Sequence, residues 1–193
     1  MKQQNPVAPI AQSHRSGGVL PAVAETALSE VEGARPRSPL WATLTATFFG
    51  IGYLRPGPGT WGSAVTVALW AALAYALNPV LRTPIAIAIA AFVILIGIPA
   101  ATLVARASSN KDPQFVVIDE VAGQLITLIA APLGWKTFLA GFILFRAFDI
   151  VKPPPVRQLE HLPEGMGIVI DDVAAGFYAF AVMQFLLRFG LLK

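Results

Sequence analysis

Cysteine is absent from the 193 residues, which rules out disulfides, thiolate metal sites and a cysteine nucleophile. Histidine is nearly absent. His14 and His161 are too few and too far apart for a His-based metal site or a phosphohistidine relay, and each reads as a surface residue. Charge is scarce as well: charged residues make up 13% of the chain and hydrophobic residues 55%, whereas a soluble domain carries about 25% charged residues. Lipid covering part of the protein accounts for the missing polar surface. Acids are missing altogether from Gly33 to Lys111, and eight of the eleven lie from Asp112 onward. The net charge of +3 suits anionic lipid headgroups. No cluster of Lys and Arg is interleaved with aromatics, so no nucleic acid partner is expected.

The length suits one domain. Residues 1–38 are rich in Pro, Ser, Ala and Gly without a sustained hydrophobic period, and read as a disordered tail ahead of a helical domain over 39–193. The best apolar stretch of that tail, Gly17 to Ala24, is interrupted by Pro21 and followed by Glu25. It does not make a signal peptide, so the N-terminus is expected in the cytoplasm. A short helix is expected over Leu40 to Phe49, followed by a loop rich in Gly and Pro up to Ser63.

Two uncharged runs come next, Pro56 to Leu81 and Thr83 to Ala105. A membrane span needs about 20 apolar residues, so the second run qualifies, as does the first if its helix runs from near Trp61 to near Asn78. The later runs Val121 to Trp135, Thr137 to Phe145 and Val173 to Leu187 are shorter, and read either as short or tilted spans or as buried helices. Phe115 to Ile118 is the one short β-like run. The expectation is an all-α, multihelical membrane-associated bundle with two to four transmembrane helices. With four spans and Arg55 inside, Arg37, Arg106, Lys111, Arg146, Lys152 and Arg157 all fall on the cytoplasmic side, as the positive-inside rule requires. Every acid falls there too.

Acids collect where loops meet apolar helices: Asp119-Glu120, Asp149 and Asp171-Asp172. Val-Ile-Asp-Glu-Val-Ala-Gly123 parallels Val-Ile-Asp-Asp-Val-Ala-Ala-Gly176, and in both an Asp lies four residues before a Gly, on one helical face. A Gly there lets another helix approach closely, so two such helices would bring their carboxylates together. Any one acid at a helix N-terminus also serves as a cap. Asp149 breaks that pattern, since it lies at the C-terminal end of its run, where a carboxylate opposes the dipole. Several acids in one partly dry place repel unless a cation joins them. All-oxygen ligands select a hard ion, Mg²⁺ or else Mn²⁺. Asp171 and Asp172 point about 100° apart on a helix, which suits different tasks, one on the metal and the other orienting it or a water.

Arg146 and Asp149 share a helical face, and Pro153-Pro154-Pro155 stops the helix just after Lys152. The pair reads as an ordinary surface ion pair or as a guanidinium placed for a phosphoryl group. In the loop Pro58-Gly59-Thr60-Trp61-Gly62-Ser63, Thr60 or Ser63 would cap the following helix, and exposed amides would offer an anion site. It lacks the Lys of a Walker A loop. Gly165-Met-Gly167 reads as a flexible lead-in to Asp171.

Four segments in series resemble phosphatidylglycerophosphatase A: Pro58-Gly-Thr-x-Gly-Ser63, Val117-Ile-Asp-Glu-x-x-Gly123, Phe145-Arg-x-Phe-Asp-x-x-Lys-Pro153 and Gly165-x-Gly-Ile-x-x-Asp-Asp-x-x-Ala-Gly176. The resemblance covers roughly residues 42 to 190. It implies a Mg²⁺-dependent phosphatase of a bacterial inner membrane, its active site facing the cytoplasm, converting phosphatidylglycerophosphate to phosphatidylglycerol and phosphate. Carried over by residue, Asp119, Glu120, Asp149, Asp171 and Asp172 are the candidate metal ligands. Asp119, Asp149, Asp172, Arg146 and Lys152 are the candidate catalytic groups. Arg146 and Lys152 would hold phosphate, and Gly59, Thr60 and Ser63 would line the site. Val169 stands where the pattern has Met, and the tail before residue 39 finds no match. Two other readings remain beside it: an all-α nucleotide pyrophosphohydrolase, and a small transporter whose acids carry protons or cations.

Overall fold

The computed structural model describes residues 37–192, in which seven α-helices and one 3₁₀ turn follow one another with no strand among the described residues. The helices are α1 (Leu40–Ala46), α2 (Pro58–Ala76), α3 (Pro79–Ser108), α4 (Ile118–Thr127), α5 (Trp135–Val151), α6 (Val156–Leu159) and α7 (Glu164–Arg188), and the 3₁₀ turn is Ile51–Tyr53. The expected all-α architecture is what the chain adopts. The expected tail lies outside the described residues except for residues 37 and 38.

Two helices, α3 and residues Gly165–Arg188 of α7, are long and apolar enough to cross a membrane. That is the lower end of the expected range. The run Thr83 to Ala105 lies inside α3, whose start is fixed earlier: Asn78 caps it by accepting from Val80 N, and Pro79 takes the first turn, where its missing N–H costs nothing. The run from Pro56 gives the 19-residue α2, which is not one of the two. At 30 residues α3 is about 45 Å long, more than the ~30 Å hydrocarbon core of a bilayer. Ile87, Phe92 and Leu95 stay exposed on it, as do Phe177 and Phe185 on α7, which suits lipid better than water. The two helices meet at one end. Gly165 N donates to Thr102 Oγ1, and Arg106 and Glu164 form a two-pronged ion pair at the surface.

Three local expectations change. The first helix ends at Ala46 rather than at Phe49, because the Thr47 hydroxyl donates to Thr43 O and accepts from Gly50 N, closing the turn. Phe115 to Ile118 is no strand: Val117 N donates to Ala46 O, and Ile118 already begins α4. Gly165-Met-Gly167 is helical and tightly held rather than flexible. A β-carbon on Gly165 would lie 2.5 Å from Thr102 Oγ1, so glycine is there to let α7 cross α3.

The shortest of the central helices organises the rest. Nine of the ten residues of α4 are buried, and it packs against α7, α3, α2 and α5. It is therefore a buried helix. Its N-terminal end, not its middle, carries the charge.

Candidate active site

Four elements meet at the same place. The N-terminus of α2 brings Gly57 to Gly59, the first turn of α4 brings Asp119 and Glu120, the last turns of α5 bring Arg146 and Asp149 with Lys152 as its C-cap, and α7 brings Asp171 and Asp172. Between them lies a cleft of about 600 Å³. All eight acidic residues found among the described residues line it: Asp112, Asp119, Glu120, Asp149, Glu160, Glu164, Asp171 and Asp172. Among the described residues, three cations line it with them, Lys111, Arg146 and Lys152.

The repeated Asp-to-Gly spacing explains how the acids meet. Gly123 of α4 and Gly176 of α7 face each other, so close that a β-carbon on Gly176 would lie 2.5 Å from Gly123 O. One turn up each helix, carboxylate oxygens of Asp119, Glu120 and Asp172 lie within 4.8 Å of one another. Asp171 and Asp172 sit about two turns inside α7, so neither is a helix cap. Asp119 and Glu120 lie in the first turn of α4, at the positive end of its dipole, but the N-cap there is Val117 and no side chain caps the helix.

Arg146 and Lys152 take three of the remaining acids. Arg146 Nη1 lies 2.6 Å from Asp149 Oδ2 and 3.6 Å from Glu120 Oε1. The short contact is an ion pair without hydrogen-bond alignment, and Arg146 Nε has no partner. Lys152 Nζ donates to Asp171 Oδ2 at 2.7 Å and to Glu160 Oε1 at 2.5 Å. Burial works against the Lys152 ammonium, but the bonds to Asp171 and Glu160 outweigh it and hold its pKa above the ordinary value. The same ammonium holds Glu160 below its ordinary range.

The three-acid cluster has little such relief beyond the 3.6 Å contact of Arg146 with Glu120. Burial, then the charges of Glu120 and Asp172, pushes Asp119 well above the usual carboxylate range. Burial raises Glu120 too, against the pull of Arg146. Asp119 Oδ1, Glu120 Oε2, Asp171 Oδ1 and Asp172 Oδ2 are buried without a hydrogen-bond partner. Buried carboxylates left unpaired are costly, and an all-oxygen donor set is what a hard divalent cation takes. The residues fit a divalent metal.

Of the other expected site residues, Gly59 lines the cleft, against Glu120 and Arg146. Thr60 and Ser63 do not. Because α2 starts at Pro58 with Gly57 as its N-cap, both are already helical and neither side chain caps it. Thr60 is exposed; Ser63 is fully buried, its Oγ unpartnered, away from the cleft wall. Sequence reasoning missed Lys111, Asp112, Glu160 and Glu164. Their signal was present only collectively, in the crowding of acids after Lys111. Among the described residues, no aromatic ring lines the cleft.

The family model for phosphatidylglycerophosphatase A matches residues 44–187. A phosphatidylglycerophosphatase A of Haemophilus influenzae is 39% identical over 142 residues, 72% of this chain and 85% of its own length. The Escherichia coli phosphatidylglycerophosphatase A is 31% identical over 170 residues, covering 87% of this chain and 93% of that protein. A Bacteroides thetaiotaomicron protein provisionally named a phosphatidylinositol-3-phosphatase is 40% identical over 146 residues, 72% of this chain and 89% of its own. No solved structure matches. Since the matched region holds all three helices that carry the clustered carboxylates, the transporter and pyrophosphohydrolase readings fall away, and the chain belongs to the phosphatidylglycerophosphatase A family of phosphatases.

Proposed function

We propose that the chain removes the terminal phosphate of phosphatidylglycerophosphate in a Mg²⁺-dependent reaction, at the cytoplasmic face of a bacterial inner membrane. One observation carries the reading: every acid among the described residues lines one cleft, at the end where both long apolar helices meet. A phosphomonoester on a lipid headgroup is presented at that level of a bilayer.

Asp119, Glu120 and Asp172 would hold the ion, with Asp149 and Asp171 beside them under the control of Arg146 and Lys152. A bound Mg²⁺ supplies charge neutralisation and a more acidic water. Arg146 offers its unpartnered Nε to phosphate oxygens, in a planar fork suited to them. Lys152, with its raised pKa, is a poor acid, so its contribution is charge. Asp171, held through Oδ2 and with its buried Oδ1 unpartnered, would orient water and accept its proton. Water oxygen then bonds to phosphorus, the bond to the glycerol oxygen breaks, and that oxygen takes up the proton. Gly59 lets the Glu120 carboxyl and Arg146 come close to the start of α2, while Thr60 and Ser63, off the wall, take no part.

The relative named for a phosphoinositide substrate makes the headgroup the point to test. The purified protein, in detergent, is assayed on phosphatidylglycerophosphate and on phosphatidylinositol 3-phosphate with EDTA, Mg²⁺ or Mn²⁺. Phosphate release from the first that needs Mg²⁺ or Mn²⁺ is expected. Faster release from the phosphoinositide, or release undiminished by EDTA, would overturn the substrate or the metal respectively.

A further inference from the structure

We propose that Arg55 forms a second anion site beside the cleft, one that takes the phosphodiester of the lipid substrate and so selects monoesters carried on a phosphatidyl headgroup. The inference rests on the lipid-phosphatase reading. A second cavity, of about 420 Å³, is lined by Tyr53, Arg55, Asn110 and Phe115, and it shares Pro58, Asp112 and Gln114 with the catalytic cleft as a common wall. Asn110 and Asp112 follow within a few residues of Ser108, where α3 ends. The cavity therefore lies at the end of a candidate span, the depth at which headgroup phosphates lie.

The charges of the two cavities differ in one respect. Every cation of the cleft is already engaged: Lys111 on Glu160 O, Arg146 on Asp149 and Glu120, and Lys152 on Glu160 and Asp171. Arg55 is the cation lining either cavity that, among the described residues, has neither an ion pair nor a hydrogen bond. Its neighbour Tyr53 stacks on Phe115 with ring centroids 5.6 Å apart, which braces the wall on which Arg55 stands. Phosphatidylglycerophosphate carries two phosphates. The cleft, rich in carboxylates, accommodates the one that reacts, and the diester has to rest outside it, where an exposed guanidinium can meet it in two-pronged fashion.

The test compares wild type, Arg55→Gln and Arg55→Lys in neutral detergent micelles. The readouts are KM and kcat for phosphatidylglycerophosphate, and inhibition by phosphatidylglycerol, which keeps the diester alone, and by inorganic phosphate, which has none. Losing a charge-assisted hydrogen bond should raise KM, and weaken phosphatidylglycerol inhibition, by about tenfold in Arg55→Gln. Turnover and phosphate inhibition should stay as in wild type, and Arg55→Lys should recover part of the loss. Unchanged KM and unchanged product inhibition would overturn the proposal. So would an equal weakening toward inorganic phosphate, which would mark Arg55 as a general source of positive field. If the wild type releases no phosphate from the lipid, the activity reading fails on its own. Arg55 is then judged by phosphatidylglycerol binding to the three proteins, followed through tryptophan fluorescence, and equal or absent binding refutes it.

Discussion

Gly123 and Gly176 touch backbone to backbone: a β-carbon on Gly176 would lie 2.5 Å from Gly123 O and 2.8 Å from Gly123 Cα. This contact sets the separation of Asp119 and Asp172, one turn away on each helix. Gly176→Ala should force α4 and α7 apart, at a cost of about 1–3 kcal/mol for overpacking, partly offset by the better helix propensity of Ala. A lower melting temperature in detergent and a large loss of metal-dependent activity are expected. Gly134→Ala is the control, since a β-carbon there meets nothing nearer than Thr137 Oγ1 at 3.8 Å. Equal activity in the two variants would mean that the helix crossing does not govern the carboxylates.

The loop at the start of α2 yields a contrast between neighbours. A β-carbon on Gly59 would lie 3.0 Å from Arg146 Nη1 and still closer to the Glu120 carboxyl, whereas Thr60 is exposed and off the cleft wall. Gly59→Ala should lose most activity and Thr60→Ala should keep most of it, measured as phosphate release at saturating lipid. A severe loss in Thr60→Ala would return its hydroxyl to the site.

That contrast shows where sequence reasoning worked. Periodicity settled the features that depend on one helix: the apolar run of α3, the Arg146–Asp149 pair three residues apart, and the Asp-to-Gly spacing that packs α4 on α7. It failed where the outcome depends on the route of a loop. Lys152 reaches Glu160 only because the chain turns through three prolines and the short α6. Lys111 meets Glu160 O across 49 residues. Neither spacing has a period to read. Thr60 and Ser63 were misplaced for a simpler reason: Pro58 takes the first helical position, which moves the helix start ahead of both hydroxyls.

Sidedness is open to direct measurement because the chain contains no cysteine of its own. Ser109 and Gln158 are exposed near the cleft, and Val80, 80% exposed, lies at the opposite end of α3. Single cysteines at Ser109 and Gln158 should be protected from an impermeant thiol reagent added to intact cells, while one at Val80 should react. The reverse pattern would place the cleft outside.

Asp172→Asn separates a metal ligand from a structural acid when stability and activity are read together. Asp172 Oδ2 is buried without a partner, its carboxyl stands against those of Asp119 and Glu120, and no ion pair holds it among the described residues. In metal-free protein those charges repel, so removing one relieves the repulsion. Asn has nearly the same size, and the EDTA-treated variant should melt at or above the wild-type temperature. Metal that binds only the native state stabilises it by RT ln(1 + [L]/Kd), about 2.7 kcal/mol at a hundredfold excess over Kd. The variant should lose much of that gain on adding Mg²⁺, together with nearly all activity. An acid that serves the fold would behave in the opposite way, with clear destabilisation in EDTA and an undiminished response to Mg²⁺. Melting both proteins in detergent under the two conditions gives the answer, and that second pattern would remove Asp172 from the metal site.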